Sequence, residues 1–267
     1  MSANAKWDDL IPRVTSAIAM IAVGGLALWA GGIFFSALVL VVIGGMIWEL
    51  ISMCSPQRPN GAFLGGGLAA VSLAAGYYVP AMLLLPVLGA FLIVFWGFIG
   101  AHRERATAYA AIIWVGGLGL LQLRLSGGVM PMLWLVCIVV ATDVAGYFAG
   151  RVIGGPKFWP AISPKKTWSG TAAGWLAAAL VGYWFLPSFV AFFDASSAPM
   201  RNMLILSVLV SFASQMGDIV ESAIKRKTGI KDSSNLIPGH GGLLDRFDGM
   251  IGAAVLVSLW SLMSDAL

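Results

Sequence analysis

The sequence predicts an all-α polytopic membrane protein of about nine transmembrane helices, with its amino terminus cytoplasmic and its carboxyl terminus on the opposite side. Three observations predict this. Charged residues are 10% of the 267 and apolar types 59%, whereas a soluble domain carries roughly a quarter charged. The apolar runs are long and continuous, as the roughly 20 residues of a spanning helix require, and lack the alternation of a barrel strand. The cations also divide very unevenly between alternate loops.

Reading for apolar stretches broken by charge, Pro or Gly gives nine segments. They are about Val14–Ala30, Ile33–Met53, Ala62–Tyr78, Met82–Ala101, Thr107–Leu123, Met130–Ala149, Thr171–Phe193, Met203–Ile224 and Met250–Leu267. The first two form a run too long for one span, and only Gly31 and Gly32 offer a turn, so a very tight hairpin is expected there. The glycines Gly65, Gly66 and Gly67 are expected to let helices approach closely.

With the amino terminus inside, fourteen of the sixteen Lys and Arg residues fall on the cytoplasmic side. These are Lys6, Arg13, Arg58, Arg103, Arg105, Arg151, Lys157, Lys165, Lys166, Lys225, Arg226, Lys227, Lys231 and Arg246, leaving Arg124 and Arg201 outside. One helix more or fewer would scatter the later cations to the wrong face. The net charge of +4 is therefore an effect of membrane topology, and no basic domain suggests nucleic-acid binding. Cys54 and Cys137 sit in apolar runs without metal-like spacing and read as packing residues. Arg13 precedes an apolar run that continues directly into a second span, which favours a retained helix over a signal peptide.

Two regions are expected: residues 1–130 as a scaffold of lipid-facing helices, and residues 131–267 as a catalytic region. Four constellations stand in the second. At the end of the sixth helix, Asp143, Tyr147 and Arg151 share a face, which fits either an Asp–Arg packing seam or a ligand-facing carboxylate. The following loop, Ser163-Pro164-Lys165-Lys166-Thr167, sets two ammonium groups beside two hydroxyls, a combination suited to phosphate. On the eighth helix, Ser207, Ser211, Ser214, Asp218, Glu221 and Lys225 draw a polar stripe that must face the bundle interior or a water-filled cavity. The loop after it carries Lys225, Arg226, Lys231, Asp232, His240, Gly241, Gly242, Asp245, Arg246 and Asp248. Its cations can neutralise a triphosphate, and its glycines let backbone amides approach an anion. Helix capping accounts for one of Asp245 and Asp248 and leaves the other to be explained.

At these residues the sequence resembles the phosphatidate cytidylyltransferase (CDP-diacylglycerol synthase) family. Ser222, Lys225-Arg226, Lys231-Asp232, Pro238, His240-Gly241-Gly242, Asp245-Arg246 and Asp248 all stand in register with that family's signature, and the resemblance extends upstream over Asp143 to Gly170. Ser169 departs from it, because the family's Lys-Lys-Thr-Trp stretch is usually followed by a Glu. The resemblance implies a homodimeric enzyme of the bacterial inner membrane, with its active site at the cytoplasmic face, that joins CTP to phosphatidic acid to give CDP-diacylglycerol and pyrophosphate. It implies dependence on a divalent cation, usually Mg²⁺, with K⁺ as a candidate monovalent ion nearby, and marks Asp218 and Asp245 as the metal-binding carboxylates. The residues agree, since Mg²⁺ takes one or two carboxylates together with phosphates and water. Lys225, Arg226, Lys231, His240 and Arg246 are then expected to join them in catalysis. Asp143, Ser163, Lys165, Lys166, Thr167, Asp232, Gly241, Gly242 and Asp248 are expected to contact substrate. His240 fits three roles: orienting a phosphate oxygen, protonating pyrophosphate, or ordering the loop. Two rivals remain on the residues alone, a CTP-dependent polyprenol or dolichol kinase and a transporter lined by the eighth-helix stripe.

Overall fold

The computed structural model describes residues 10–193 and 199–264. Lys6 and both chain ends, on which the expected topology partly rests, lie outside the described residues. Among the described residues there are nine helices and one small hairpin. In chain order they are α1 (Leu10–Ala30), α2 (Gly32–Cys54), α3 (Pro59–Tyr78), α4 (Ala81–Phe98), α5 (Arg103–Leu125), α6 (Val129–Val152), β1 (Lys157–Trp159), β2 (Ser163–Thr167), α7 (Trp168–Phe193), α8 (Pro199–Thr228) and α9 (Leu244–Ser264). Each expected segment falls on one of these helices, except that Met82–Ala101 overruns α4 by three residues and the last three residues of Met250–Leu267 lie outside the described residues. The chain is an all-α polytopic membrane protein, and among the described residues eight helices, α1 to α8, are long and apolar enough to cross a bilayer. The described part of α9 opens on Asp245, Arg246 and Asp248. The hairpin was not foreseen. Its antiparallel register sets Lys157 opposite Thr167 and Trp159 opposite Ser163, over a stretch too short to show a strand pattern.

The residues group into two compact units. The first holds the described residues up to Leu125 together with Ile224–Phe247. Its centre is α2, whose Ile43, Met46, Ile47, Leu50 and Ile51 are fully buried and which packs against α3 and α5. Lipid is as apolar as these side chains, so close packing and hydrogen bonds hold such helices together. The α2–α3 contact shows it: a Cβ on Gly66 would stand 2.6 Å from the carbonyl oxygen of Gly44. Gly65 is buried in the same seam, whereas Gly67 is exposed with open space where its Cβ would be, and so lies outside it.

The hairpin between α1 and α2 turns where expected. Gly31 has φ 63° and ψ −154°, a conformation essentially reserved for glycine. Arg124 of α5 closes the turn, donating from Nε to the Leu28 carbonyl at 2.8 Å and from Nη2 to the Trp29 carbonyl at 3.4 Å. Those carbonyls end α1 and lack helical partners. The end of α8 is capped differently. Gly229 takes φ 74° and the Ile230 amide donates back to the Lys225 carbonyl at 3.1 Å, a Schellman closure that turns the chain into the following loop.

The second unit holds Ser126–Ala223 and the described residues from Asp248 onward. Here the polar stripe of α8 faces inward, as expected: Ser207, Ser211 and Ser214 are buried. Trp134 Nε1 donates to Ser207 Oγ at 3.1 Å, Thr142 Oγ1 to Ser211 Oγ at 2.8 Å, and Trp175 Nε1 to Gln215 Oε1 at 3.1 Å. These bonds tie α8 to α6 and α7.

Gly31→Ala is expected to destabilise the protein by about 1–3 kcal/mol, the cost of a side chain in that backbone region, and its Cβ would also meet the Arg124 guanidinium. Thermal unfolding in detergent checks this through a lowered midpoint. Gly67→Ala, in open space, leaves the midpoint unchanged or slightly raised.

Candidate functional site

Two groups of polar residues stand out, one in each unit. In the second unit, α6 carries Asp143, Tyr147 and Arg151 on one face. Arg151 Nη1 donates to Tyr147 Oη at 2.6 Å, with its guanidinium carbon 5.9 Å from that ring. Arg151 thus partners the tyrosine one turn away. The β-hairpin presents the two lysines differently, because successive strand residues point to opposite faces. Lys165 is exposed, while Lys166 is half-buried and pairs with Asp218 of α8 at 2.5 Å. Thr167 is buried, and its hydroxyl caps the Gly170 amide at 3.2 Å. A cavity of about 410 Å³ opens here, lined by Asp143, Arg151, Lys165, Lys166, Thr167 and Asp218 among others. The structure thereby gathers most of the expected residues of α6 and β2 around Asp218. Ser163 pairs with Trp159 at the far end of the hairpin and is not among the lining residues. Ser169, where a Glu was expected from the resemblance, donates instead to the Gly154 carbonyl at 2.5 Å and so ties down the turn before the hairpin.

Beside Lys166, Asp218, Glu221 and Asp248 each offer a carboxylate oxygen, all within 4.8 Å of one another. Asp218 and Glu221 lie one turn apart on α8, and α9 brings Asp248 against them. The helices meet through small residues: a Cβ on Gly252 would stand 3.0 Å from the Cα of Gly217. Asp248 Oδ1 also accepts from the Gly249 amide at 2.7 Å. Three carboxylates so close repel one another unless a cation or a proton is shared among them. Hard oxygen donors in this number are what a divalent cation such as Mg²⁺ or Ca²⁺ takes, and Lys166 supplies a single positive charge on one side. The donor set therefore fits a divalent cation. Glu221, of which only 1% is exposed, belongs to it. Lys225, further along α8, has a carboxylate of its own within reach.

That carboxylate is Asp245, in the first unit. Lys225 Nζ reaches Asp245 Oδ1 at 2.6 Å. Asp245 Oδ2 accepts from the Ser233 amide at 2.8 Å, the Ser233 hydroxyl at 2.7 Å and the Gly242 amide at 2.8 Å. Burial pushes the Asp245 carboxyl up, but these donors together outweigh it and hold it down at about 2. It stays ionised at any physiological pH. The stability it lends is fully present above the ordinary carboxylate range and is lost progressively as the pH falls from there through about 2. Asp245, not Asp248, is thus the carboxylate that orders the loop at the start of α9.

The rest of the loop folds around this pair. Ile237 and Gly241 form an antiparallel bridge, and Arg246 Nε donates to the His240 carbonyl at 2.9 Å. Ser16 of α1 lies 2.7 Å from His240 Nδ1. Its hydroxyl has one proton and three carbonyl oxygens within 3.1 Å, those of Pro12, Arg13 and Pro238. The hydroxyl and the His240 ring nitrogen share one hydrogen bond that ties the loop to α1, its direction set by the tautomer of the ring. Arg226, Lys231, Asp232 and Arg246 are exposed.

Glu49 of α2 went unnoticed in the sequence. It is completely buried and accepts from the Ser234 hydroxyl at 2.6 Å, the Leu243 amide at 2.9 Å, the Leu244 amide at 2.7 Å and the Ser233 hydroxyl at 3.2 Å. A signal was present: a carboxylate inside a span costs roughly 2.5–3.5 kcal/mol on insertion scales and so needs partners. Ser16 gave no such signal, since a lone serine near a helix start is ordinary.

The chain is similar to known proteins over most of its length. A model of the cytidylyltransferase family matches residues 11–263. The chain is 34% identical over 265 residues to a phosphatidate cytidylyltransferase of Brucella suis, covering 95% of this chain and 93% of that protein. It is 30% identical over 251 residues to a phosphatidate cytidylyltransferase of Helicobacter pylori, covering 91% and 88%. One of Rickettsia bellii is 43% identical over 131 residues, 46% of this chain and 56% of that protein. The chain belongs to the cytidylyltransferase family and is a nucleotidyltransferase that uses CTP.

Proposed function

We propose that the protein is a phosphatidate cytidylyltransferase of phospholipid biosynthesis, converting CTP and phosphatidic acid to CDP-diacylglycerol and pyrophosphate. The observation that carries this reading is the cluster Asp218, Glu221 and Asp248 beside a lysine-lined cavity, in a membrane protein whose relatives bear that name. A phosphate oxygen of the lipid attacks the α-phosphorus of CTP in line. The bond from that phosphorus to the bridging oxygen breaks, and its electron pair leaves with pyrophosphate. The nucleophile is already an anion, so no strong base is required. The demands are alignment of two polyanions and neutralisation of charge.

The residues divide this work by chemistry. Lys165, Lys166 and Arg151 set positive charge around the cavity, which suits the lipid phosphate, while Asp143 and Thr167 complete its polar wall. Asp218, Glu221 and Asp248 hold a divalent cation, Mg²⁺ by the family resemblance, which supplies Lewis-acid stabilisation of phosphate oxygens. The exposed Arg226, Lys231 and Arg246 take up charge of the triphosphate, and the loop residues Asp232, Gly241 and Gly242 shape its approach. His240, tied to Ser16, orients a phosphate oxygen or protonates the leaving pyrophosphate. Asp245, marked for metal by the resemblance, fixes Lys225 and the loop in the present arrangement. The same reading puts the active site at the cytoplasmic face of a bacterial inner membrane, with the amino terminus inside and the carboxyl terminus outside, in a homodimer. The cation distribution supports the orientation and the bacterial relatives the location, while the homodimer rests on the family resemblance alone.

Purified protein given radiolabelled CTP and phosphatidic acid is expected to form CDP-diacylglycerol and pyrophosphate, with product lost on chelation by EDTA and restored by Mg²⁺. Release of CDP with a phosphorylated lipid would instead identify a kinase. Asp245→Ala is expected to lower turnover by about 10²-fold or more while the protein still inserts and purifies. Near-normal turnover in that variant would remove Asp245 from the site.

A further inference from the structure

Glu49 is a fully buried carboxylate in a helix that otherwise carries no charge. Its donors come from two separate stretches of the loop between α8 and α9, with the Ser233 hydroxyl sharing its one proton between Glu49 at 3.2 Å and Asp245 at 2.7 Å. Ser233 and Ser234 lie on the arm that leaves α8, and Leu243 and Leu244 on the arm that enters α9. One side chain therefore staples both arms. The Leu243 and Leu244 amides open α9 and have no partner within it, so Glu49 acts as a helix cap supplied by another helix and aided by the dipole. The seat is shaped to match. A Cβ on Gly242 would run into the Glu49 carboxylate and the Ser233 hydroxyl, and one on Gly45, a turn before Glu49, would meet the Leu243 side chain. From Glu49 the bonds continue through Ser233 to Asp245 and from Asp245 to Lys225.

We infer that Glu49 is a positioning residue: through Ser233, Ser234 and the first amides of α9 it sets the geometry of the His240–Arg246 loop and of the Lys225–Asp245 pair, without touching substrate. This rests on the proposed cytidylyl transfer for its kinetic consequence, but not for its structural one. Glu49→Gln keeps the size and removes one acceptor, placing an NH₂ against groups that are themselves donors. A misplacement of about 1 Å in a site that works by alignment costs about 10²-fold in rate.

The test uses the full-length protein in detergent. Amide hydrogen exchange across 231–247 is compared in the wild type and Glu49→Gln, together with kcat and KM for CTP per folded enzyme. The expected result is faster exchange at Leu243 and Leu244, kcat lower by about 10²-fold and KM little changed. Ser234→Ala is expected to give a smaller loss, and the double variant no further loss beyond Glu49→Gln, because both act through one contact. Unchanged exchange in Glu49→Gln, or faster exchange with wild-type kcat, overturns the inference. Should Glu49→Gln not yield folded protein, Ser233→Ala and Ser234→Ala are read in the same way, and wild-type exchange and kcat in both overturn it. A wild type that makes no CDP-lipid, with faster loop exchange in the variant, refutes the proposed reaction and leaves the positioning of the loop in place.

Discussion

A carboxylate carried into an apolar helix has to be compensated there, and much of this protein's polar architecture follows from that requirement. Water and mobile ions do not screen it, and an isolated charge in such a medium would cost more than the marginal stability of a fold tolerates. Each such group is answered in its own way. Glu49 receives two hydroxyls and two backbone amides. Asp245 receives a lysine, a hydroxyl and two amides. Asp218 has Lys166 on one side, yet it shares its other side with Glu221 and Asp248. The first two sit among protein donors, whereas the third stands in a group of three carboxylates that could hold a metal ion.

The two satisfied carboxylates give the loop after α8 its shape. Loops of this length with few apolar residues have little core to order them, and their backbone groups need partners. Here Glu49 and Asp245 accept from both arms, so the loop's order comes from acceptors anchored on helices. That frees its cations. Arg226 and Lys231 stand exposed, a disposition suited to an anionic ligand rather than to holding the loop closed. Functional constellations placed on rigid elements and supported by a further layer of hydrogen bonds hold their geometry best, and the layer here is built from serines and glycines that look unremarkable in sequence.

Much of the fold was legible because a membrane span leaves a strong, local signature. The apolar segments fall on helices where the structure describes them, save the last three residues of Met82–Ala101, and the Gly31–Gly32 turn could be placed because nothing else in that run permits a reversal. The inward face of α8 was legible for the same reason, a polar stripe having few other places to go. The β1–β2 hairpin was not, being held by pairing over a few residues inside a stretch that reads as a loop. For the site, the motif residues were found but not their partners. Spacing along a helix shows that Asp218 and Glu221 share a face; it does not show that Asp248 joins them while Asp245, three residues earlier, turns to Lys225 and Ser233. Glu49 lies nearly two hundred residues from its donors, and only the folded chain brings them together.

The claim on which the functional account turns is that Asp218, Glu221 and Asp248 form the divalent-cation site. Binding of Mn²⁺ to the purified protein, followed by its electron paramagnetic resonance, tests this without substrate or turnover, with Glu221→Gln as the comparison. The account predicts a site in the wild type whose affinity falls at least about tenfold in the variant, in line with the loss of one carboxylate ligand. Equal binding by the two proteins would contradict it.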